Sequence, residues 1–254
     1  MKGLSVITLT LNEEANIASC LESVTWADEL LVADSGSVDK TVAIAKSHNA
    51  KVIPVAWDGY GRTKNQVLLQ ARGDWVLWLD ADERVTPELA SEINEIVHSP
   101  SVEFAGYSVA RRAFFLGRWI RHCGWYRSTV IRLFRRDKGR FSEHLVHEKL
   151  ILEGPVGRLK SDLIHLTDPN LDHYFKKFNR YTSLSAEEMH RDGKRFSLFD
   201  LLVRPLFTFF RMYILRRGFQ DGLEGFILCV ASSAHVFAKY AKLWEQEKKS
   251  KSKG

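Results

Sequence analysis

Short apolar runs alternate with amphipathic stretches through the first 82 residues. Leu4 to Leu11 form a β-rich apolar run, after which Ile17, Cys20, Leu21 and Val24 recur at the spacing of one helix face. Leu30 to Ala33 repeat the buried-strand pattern and end in Asp34-Ser35-Gly36-Ser37; Asp39 then stands where it can cap a helix carrying Val42, Ile44 and Ala45. A third strand over Lys51 to Trp57, a turn at Asp58-Gly59-Tyr60-Gly61 and a helix from Thr63 to Arg72 lead to Trp75-Val76-Leu77-Trp78-Leu79. Five apolar residues in a row predict a strand buried on both faces. Strand and helix alternate four times, which predicts an α/β fold with a Rossmann-like, mainly parallel sheet flanked by helices.

Beyond Asp82 the pattern changes. A helix opens at Pro87 and runs from Glu88 to His98, with proline in its first turn. Ala105 to Phe115, Thr129 to Phe134 and Lys149 to Leu152 read as strands separated by basic loops, so the second half of the sheet is expected to be mixed. From Leu171 a helix places Leu171, Tyr174, Phe175, Phe178, Tyr181 and Leu184 on one face. Further on, Pro205 to Phe210 and Met212 to Leu215 are studded with Arg204, Arg211, Arg216 and Arg217, and Gly225 to Phe237 is free of Asp, Glu, Lys and Arg. That last run is shorter than the roughly 20 residues a bilayer span needs. The expectation is amphipathic helices lying on a membrane surface, with arginines and terminal lysines on anionic headgroups; a helical hairpin packed on the domain is the alternative. The expected organisation is a catalytic domain over 1–168, made of halves 1–98 and 99–168, a C-terminal helical, membrane-associating region over 169–245, and a basic tail over 246–254.

Composition narrows the choice of partner. A hydrophobic content of 45% and a charged content of 27% over 254 residues argue against disorder outside the tail. The net charge of +6 is unevenly spread: between Arg111 and Arg140 the only acid is Asp137, so this segment should face something anionic. A nucleic acid is one candidate. However, no recognised binding motif accompanies the basic residues, and the Asp-rich strand end would repel phosphates lacking a metal, so no nucleic acid is expected. Cys20, Cys123 and Cys229 are odd in number and far apart in sequence, which suggests neither a disulfide framework nor a metal cluster and fits a reducing cytoplasm. Ile17-Ala18-Ser19-Cys20 imitates a lipoprotein processing site, but Asn12-Glu13-Glu14 interrupts the apolar run before it, so strand and helix are expected there.

The candidate chemistry lies at strand ends. Asp80 and Asp82 follow the most buried strand, and Asn12-Glu13 and Asp34 end two others on the same sheet edge, where ligands bind in open α/β sheets. Carboxylates so close together need a cation or a bound partner to relieve their repulsion. A divalent metal, Mg²⁺ or Mn²⁺, carrying a phosphate-bearing ligand is expected. Glu83 could be no more than first-turn charge of the next helix. His165, in the apolar Leu163-Ile164-His165-Leu166, reads equally as a core histidine or a ligand. Trp125 and Tyr126 suit stacking on a sugar face, although aromatic pairs are more often core.

Leu9-Thr10-Leu11-Asn12-Glu13-Glu14, Val32-Ala33-Asp34-Ser35-Gly36-Ser37-Val38-Asp39-Lys40-Thr41, Lys64-Asn65, Gly73-Asp74 and Asp80-Ala81-Asp82 occur in the order seen in family 2 inverting glycosyltransferases of the GT-A fold, which this chain resembles. The resemblance implies a nucleotide-sugar donor, with Thr10, Leu11, Glu13 and Asp34 around the nucleoside, Lys64 near the diphosphate, Asp80 near the ribose or sugar, and Asp82 on the metal. His165 falls where such enzymes often take a late metal ligand. Leu9 stands where many members have Pro, and Ser35 where many have a second Asp. Trp57-Asp58-Gly59-Tyr60-Gly61, Gly124-Trp125-Tyr126, Arg132-Leu133-Phe134-Arg135-Arg136, Val146-His147-Glu148 and Gly218-Phe219-Gln220-Asp221-Gly222 further resemble the bacterial lipopolysaccharide core β-glucosyltransferases, which add glucose from UDP-glucose to an inner-core heptose. Tyr126-Arg127-Ser128 departs from the Pro-Asp expected after that aromatic pair.

Inverting transfer is one in-line displacement at the anomeric carbon, and it needs a base on the acceptor side. Glu148 is the candidate, with Glu143 as runner-up; His147 would orient Glu148 or contact the acceptor, and His144 has a weaker claim. Trp125, Tyr126 and Arg132 are further acceptor candidates, and the basic segment suits the phosphates and carboxylates of an anionic, lipid-linked saccharide. These readings imply a cytoplasmic enzyme peripheral on the inner membrane. Transfer to a polyprenyl phosphate or another surface glycan is the alternative within the same chemistry, and an inactive sugar-nucleotide sensor the alternative outside it.

Overall fold

The computed structural model describes residues 3–56, 58–101, 103–142 and 149–251, and the chain divides into two compact units. The first comprises Met1–Arg111 with Ser128–His165; the second comprises Arg112–Arg127 with Leu166–Gly254.

In the first unit the opening alternation is β1 (Leu4–Thr10), α1 (Ile17–Glu22), β2 (Glu29–Asp34), α2 (Thr41–Ser47), β3 (Lys51–Pro54), α3 (Tyr60–Leu68) and β4 (Trp75–Trp78). There follow β5 (Glu83–Val85), α4 (Pro87–His98) and β6 (Gly106–Phe115), which runs on into the second unit. Next come β7 (Arg118–Trp119) of the second unit, then β8 (Thr129–Arg135), β9 (Gly139–Phe141), β10 (Leu150–Leu152) and β11 (Val156–Asp168). The sheet order is β3-β2-β1-β4-β8-β6-β11-β5, with β7 on β6 and a separate β9–β10 pair. β1 pairs in parallel with both β2 and β4, and β2 with β3; β8 then pairs antiparallel with β4 and β6. This is the mixed, mainly parallel sheet expected from the sequence, and the chain reverses its strand order between β1 and β4.

The unbroken apolar run of β4 has a direct cause. Trp75, Leu77 and Leu79 face a core shared with Val24, Leu89, Ile93 and Val97, whereas Val76 and Trp78 face the opposite core with Ile7, Val67 and Leu68. Helices cover both faces, so alternation has nothing to gain. A tryptophan buried to this degree removes about 150–250 Å² from water, an upper-bound stabilisation of roughly 4–6 kcal/mol. Where β4 begins, Gly73 lies so close to β1 that a Cβ there would stand 2.7 Å from the Gly3 carbonyl oxygen, and its N–H donates to the Ser5 hydroxyl.

Several boundaries differ from the sequence reading. The third helix starts at Tyr60 and stops at Leu68, because Gly59, at φ +82°, turns the chain earlier. The α4 helix begins at Pro87, with the Thr86 hydroxyl accepting from the Leu89 N–H, so Glu83 is not in its first turn. Instead Glu83 opens β5, which pairs antiparallel with β11.

In the second unit, the end of β6 and β7 form a hairpin that pairs Phe114 with Trp119 and Phe115 with Arg118. α5 (Leu171–Arg191), α6 (Leu198–Phe210), a π-helical turn at Arg211–Leu215, a 3-10 turn at Gly218–Asp221 and α7 (Gly222–Lys251) complete it. α7 packs against both α5 and α6, burying Leu228, Cys229, Tyr240 and Leu243. Asp221, 2% exposed, accepts hydrogen bonds from the backbone N–H groups of Arg121 and His122 and contacts the His122 ring at 3.0 Å, which ties Arg121 and His122 to the start of α7. The stretch from Gly218 to Ser250 is long and apolar enough to cross a membrane by length and composition, more than its charge-free run alone indicated. Cys123 and Cys229, distant in sequence, are both buried with their sulfurs 3.6 Å apart.

Candidate active site

The C-terminal ends of β1, β2 and β4 lie side by side, with Thr10 in register with Asp34 and Ile7 with Trp78. The Thr10 hydroxyl donates toward the Ala33 carbonyl at 3.3 Å and the Asp34 carboxylate at 3.2 Å. Asp34 also accepts from the N–H groups of Gly36 and Ser37, at 3.1 and 2.9 Å, and from the Ser37 hydroxyl. A carboxylate has about four acceptor positions, and four donors occupy them. The loop after β2 is therefore folded around Asp34, with Gly36 at φ +103°. Ser35 donates its hydroxyl to the Thr10 carbonyl at 2.9 Å, and Asn12 laces the two loops together: its N–H donates to the Ser37 hydroxyl and its side-chain carbonyl accepts from the Val38 N–H. The Glu13 N–H donates to the Thr41 hydroxyl at 2.7 Å, and the Glu13 carboxylate accepts from the Asn16 amide. Leu11 is left 52% exposed on this rim.

The second wall follows β4. Asp80 and Glu83 close a tight turn through the Glu83 N–H to the Asp80 carbonyl, at 2.9 Å, and through the Asp80 N–H to the Glu83 carboxylate, at 3.1 Å. Arg132, on β8, points one guanidinium nitrogen at both carboxylates, hydrogen-bonding Asp80 and lying 2.6 Å from Glu83. Arg111 approaches Glu83 from β6 at 4.0 Å. Burial pushes the Asp80 carboxyl up, but the charges of Arg132 and Lys64 more than offset it and hold it below its ordinary value. Glu83 is wholly buried; there burial outweighs Arg132, and with the Asp80 charge beside it the Glu83 carboxyl is raised. Burial disfavours the Arg132 cation, yet the two carboxylates raise its pKa and keep it charged. Beneath this turn the Cys20 thiol touches the Asp80 carbonyl, and burial pushes its pKa up to about 12, so it is an inert core group.

Asp82 faces His165: Oδ2 and Nε2 are 3.3 Å apart, brought together by the β5–β11 pairing that sets His165 opposite Glu83. Arg84 fixes the turn from below, donating to the Ala81 and Glu83 carbonyls at 2.7 Å and to the Asn16 carbonyl at 2.9 Å. Lys64 reaches over the rings of Trp78 and Phe141, at 5.2 and 5.1 Å, and the next residue, Asn65, forms a two-bond clamp with the Phe141 backbone.

Among the described residues no group of three or more His, Cys, Asp or Glu is arranged to hold a metal ion. Asp82 and His165 are a pair, and Asp80 is engaged by Arg132. Hard divalent ions commonly take one or two protein ligands and complete their shell with substrate phosphates and water. The pair fits a site of that kind, one that the phosphates of a bound ligand would complete.

The structure therefore brings together Thr10, Asp34, Lys64, Asp80, Asp82 and His165, with Leu11 and Glu13 on the rim. Arg132, expected among the acceptor candidates, directs its guanidinium at Asp80 and Glu83. Trp125 packs edge-on against Phe115 within an apolar cluster of the second unit, and Tyr126 packs edge-on against Trp119. Glu143, His144, His147 and Glu148 lie outside the described residues. Sequence reasoning missed the buried Glu83 and its ion pairs with Arg132 and Arg111. A signal was present: a charged residue inside the apolar Val130-Ile131-Arg132-Leu133-Phe134 strand calls for a buried counter-charge.

Residues 5–152 match the family model described as glycosyl transferase family 2. The chain belongs to this family. Across 96% of its length it is 32% identical to a lipopolysaccharide core biosynthesis glycosyltransferase, LpsC, of Rhizobium meliloti, spanning 92% of that protein. An uncharacterized glycosyltransferase of Rickettsia typhi is 30% identical over 99% of this chain and 90% of its own. Among solved structures, glucosyl-3-phosphoglycerate synthase of Mycobacterium tuberculosis, in complex with Mn²⁺, UDP and glucosyl-3-phosphoglycerate, aligns with a TM-score of 0.37 at 23% identity, over 53% of this chain and 57% of that one. In this glycosyltransferase the matched region includes Thr10, Asp34, Lys64, Asp80, Asp82 and Arg132, whereas His165 lies beyond it.

Proposed function

We propose that this glycosyltransferase moves glucose from UDP-glucose, with inversion, onto the heptose of the lipopolysaccharide inner core, working at the cytoplasmic surface of the inner membrane. The observation that carries the reading is the meeting of the Thr10–Asp34 loop with the Asp80–Asp82–His165 turn at one sheet edge, a carboxylate-lined site suited to a nucleotide diphosphate and its counter-ion. LpsC, similar over nearly the whole chain, is named for lipopolysaccharide core biosynthesis, and this supports the acceptor class. Residues 1–168 carry the chemistry in this reading, and 169–245 the attachment.

Leu11 and the loop folded around Asp34 receive the nucleoside. Lys64 lies toward the diphosphate. Asp80, kept ionised by Arg132, accepts hydrogen bonds from ribose or sugar hydroxyls. Asp82 and His165 would hold a divalent ion, which supplies positive charge to the leaving diphosphate without a proton. Glu148 takes the proton of the acceptor hydroxyl while that oxygen bonds to the anomeric carbon from the face opposite the departing UDP; the C–O bond to UDP breaks, and its electron pair leaves on the diphosphate.

Calorimetric titration of purified protein with a panel of nucleotide sugars in Mn²⁺ or Mg²⁺, followed by transfer to truncated core acceptors, tests the assignment. UDP-glucose is expected to bind only with metal present, Asp82→Ala to lose binding, and Glu148→Gln to bind donor without transfer. The reading fails if UDP-glucose is not bound in the presence of metal, or if Glu148→Gln keeps full transfer.

A further inference from the structure

Among the described residues, most of the exposed large apolar side chains belong to the second unit. They are ordered there. On α6, Leu198, Phe199, Leu202, Leu206, Phe207 and Phe210 all face solvent, with Phe199 and Leu206 exposed by 65% and 71%. At 3.6 residues per turn these positions fill about half the helix circumference, far more than isolated exposed leucines would. The opposite side is anchored: Pro205 is buried and its carbonyl accepts from the Ser233 hydroxyl of α7. The stripe continues past the helix through Leu215, Phe219 and Leu223, and the same segment carries the exposed Arg211, Arg216 and Arg217.

Arg204, also exposed, pairs with Asp200 one turn earlier and lies over the Tyr240 ring, so part of its charge is engaged within the unit. Arg216 packs over Gly124, which has no Cβ to obstruct it, and its carbonyl accepts from the Cys123 N–H. The basic residues at the end of α6 are thus set on a braced turn.

We propose that the α6 stripe and the Arg211–Arg217 turn form a docking surface for an anionic phospholipid bilayer, with the apolar side chains seated among the acyl chains and the arginines on lipid phosphates. The inference rests on the membrane-peripheral reading above and names the part of the chain that makes contact. Charge decides the partner: an apolar face adjoining several arginines matches an anionic lipid surface, whereas a second copy of the same face would set those arginines against each other. Lying on the surface is favoured over crossing it. α7, the helix long enough to span, buries Leu228, Cys229 and Leu243 against its neighbours, and Lys242 donates to Asn179, Thr182 and Ser183 of α5. Moving α7 across a bilayer would break those contacts.

The full chain, sedimented with vesicles, tests the proposal. It is expected to pellet with an equal mixture of phosphatidylcholine and phosphatidylglycerol, far less with phosphatidylcholine alone, and to be released by high salt. Arg211→Gln with Arg217→Gln should weaken binding by about twenty-five-fold, taking each surface cation as worth roughly fivefold. Leu206→Ser with Phe207→Ser, both exposed, should weaken it at least as much while the circular dichroism spectrum is kept. The proposal is overturned if the wild type ignores both vesicles, if either double variant binds as the wild type does, or if alkaline carbonate leaves the protein in the membrane. It is equally overturned if sedimentation equilibrium shows a dimer that Leu206→Ser with Phe207→Ser dissociates and no vesicle binding. UDP-glucose binding without lipid is measured alongside: its absence counts against the transferase reading, and vesicle binding stands or falls separately.

Discussion

The Asp82 carboxylate and the His165 imidazole, 83 residues apart, meet at 3.3 Å because β5 and β11 pair antiparallel directly behind the β4 turn. A histidine on an apolar strand gains a specific partner by this pairing, and a carboxylate and an imidazole together can bind one divalent ion. Asp82→Ala and His165→Ala should each raise the Mn²⁺ concentration needed for half-maximal donor binding by about tenfold or more, with little change in melting temperature without metal. Metal titration followed by calorimetry or Mn²⁺ electron resonance reads this. If His165→Ala keeps wild-type metal dependence, His165 is a packing residue.

Arg132 is 8% exposed and holds Glu83, which has no exposure at all, together with Asp80. Its removal strands a buried carboxylate, so Arg132→Met should destabilise the protein by about 3–5 kcal/mol at neutral pH. Asp80, being 43% exposed, contributes the smaller share through solvent screening. The sign with pH follows from the two directions. The Asp80 carboxyl is depressed on folding, so the stability it adds is present at neutral pH and is lost in wild type as pH falls below the ordinary carboxylate range. Glu83 is raised, so its ionisation costs stability as pH rises through its folded value. In Arg132→Met the buried Glu83 carboxyl should prefer the neutral form, and the deficit should shrink on acidification. Denaturant unfolding at pH 7 and pH 5 measures it; an equal deficit at both would show that Arg132 acts by packing alone.

Much of this arrangement was legible before any coordinates. The five-residue run of β4 announced a strand buried on two faces, and the polar ends of β1, β2 and β4 announced a shared edge, because periodicity and strand-end chemistry are local signals. Glu83 was misread for a physical reason: acids near a proline-started helix usually favour its N-terminus, and only the distant Arg132 and the β11 strand reveal that this one is buried. Of β11 only the apolar Leu163-Ile164-His165-Leu166 was legible as strand; its first half hid behind the polar Gly157-Arg158-Leu159-Lys160-Ser161-Asp162, whose alternation marks a half-exposed strand. The Cys123–Cys229 contact was illegible for the same reason, since chain separation says nothing about packing within the helical unit.

Asp34 makes a prediction about loop order. Its four accepted hydrogen bonds use all of its lone-pair positions, and an amide offers half of them while presenting an N–H₂ group to some of the same donors. Asp34→Asn should therefore weaken donor binding by about tenfold or more, the equivalent of roughly 1–3 kcal/mol for unsatisfied buried groups, and lower kcat much less. A steady-state split of KM from kcat checks the outcome. A fall in kcat with unchanged KM would assign Asp34 to the chemical step.

Leu77 and Leu206 provide a contrast between two apolar positions of opposite burial. Leu77 is 1% exposed in the core that β4 shares with Ile93 and Val97, so Leu77→Ala leaves a cavity that flanking helices and strands cannot close, at a cost of about 2–5 kcal/mol. Leu206 is 71% exposed, and its truncation should change stability by no more than about 0.5 kcal/mol. Urea unfolding of both variants by circular dichroism and tryptophan fluorescence provides the comparison. Equal losses would mean that α6 buries its apolar stripe in solution, against a second molecule or the protein itself, and would deny that face to a membrane.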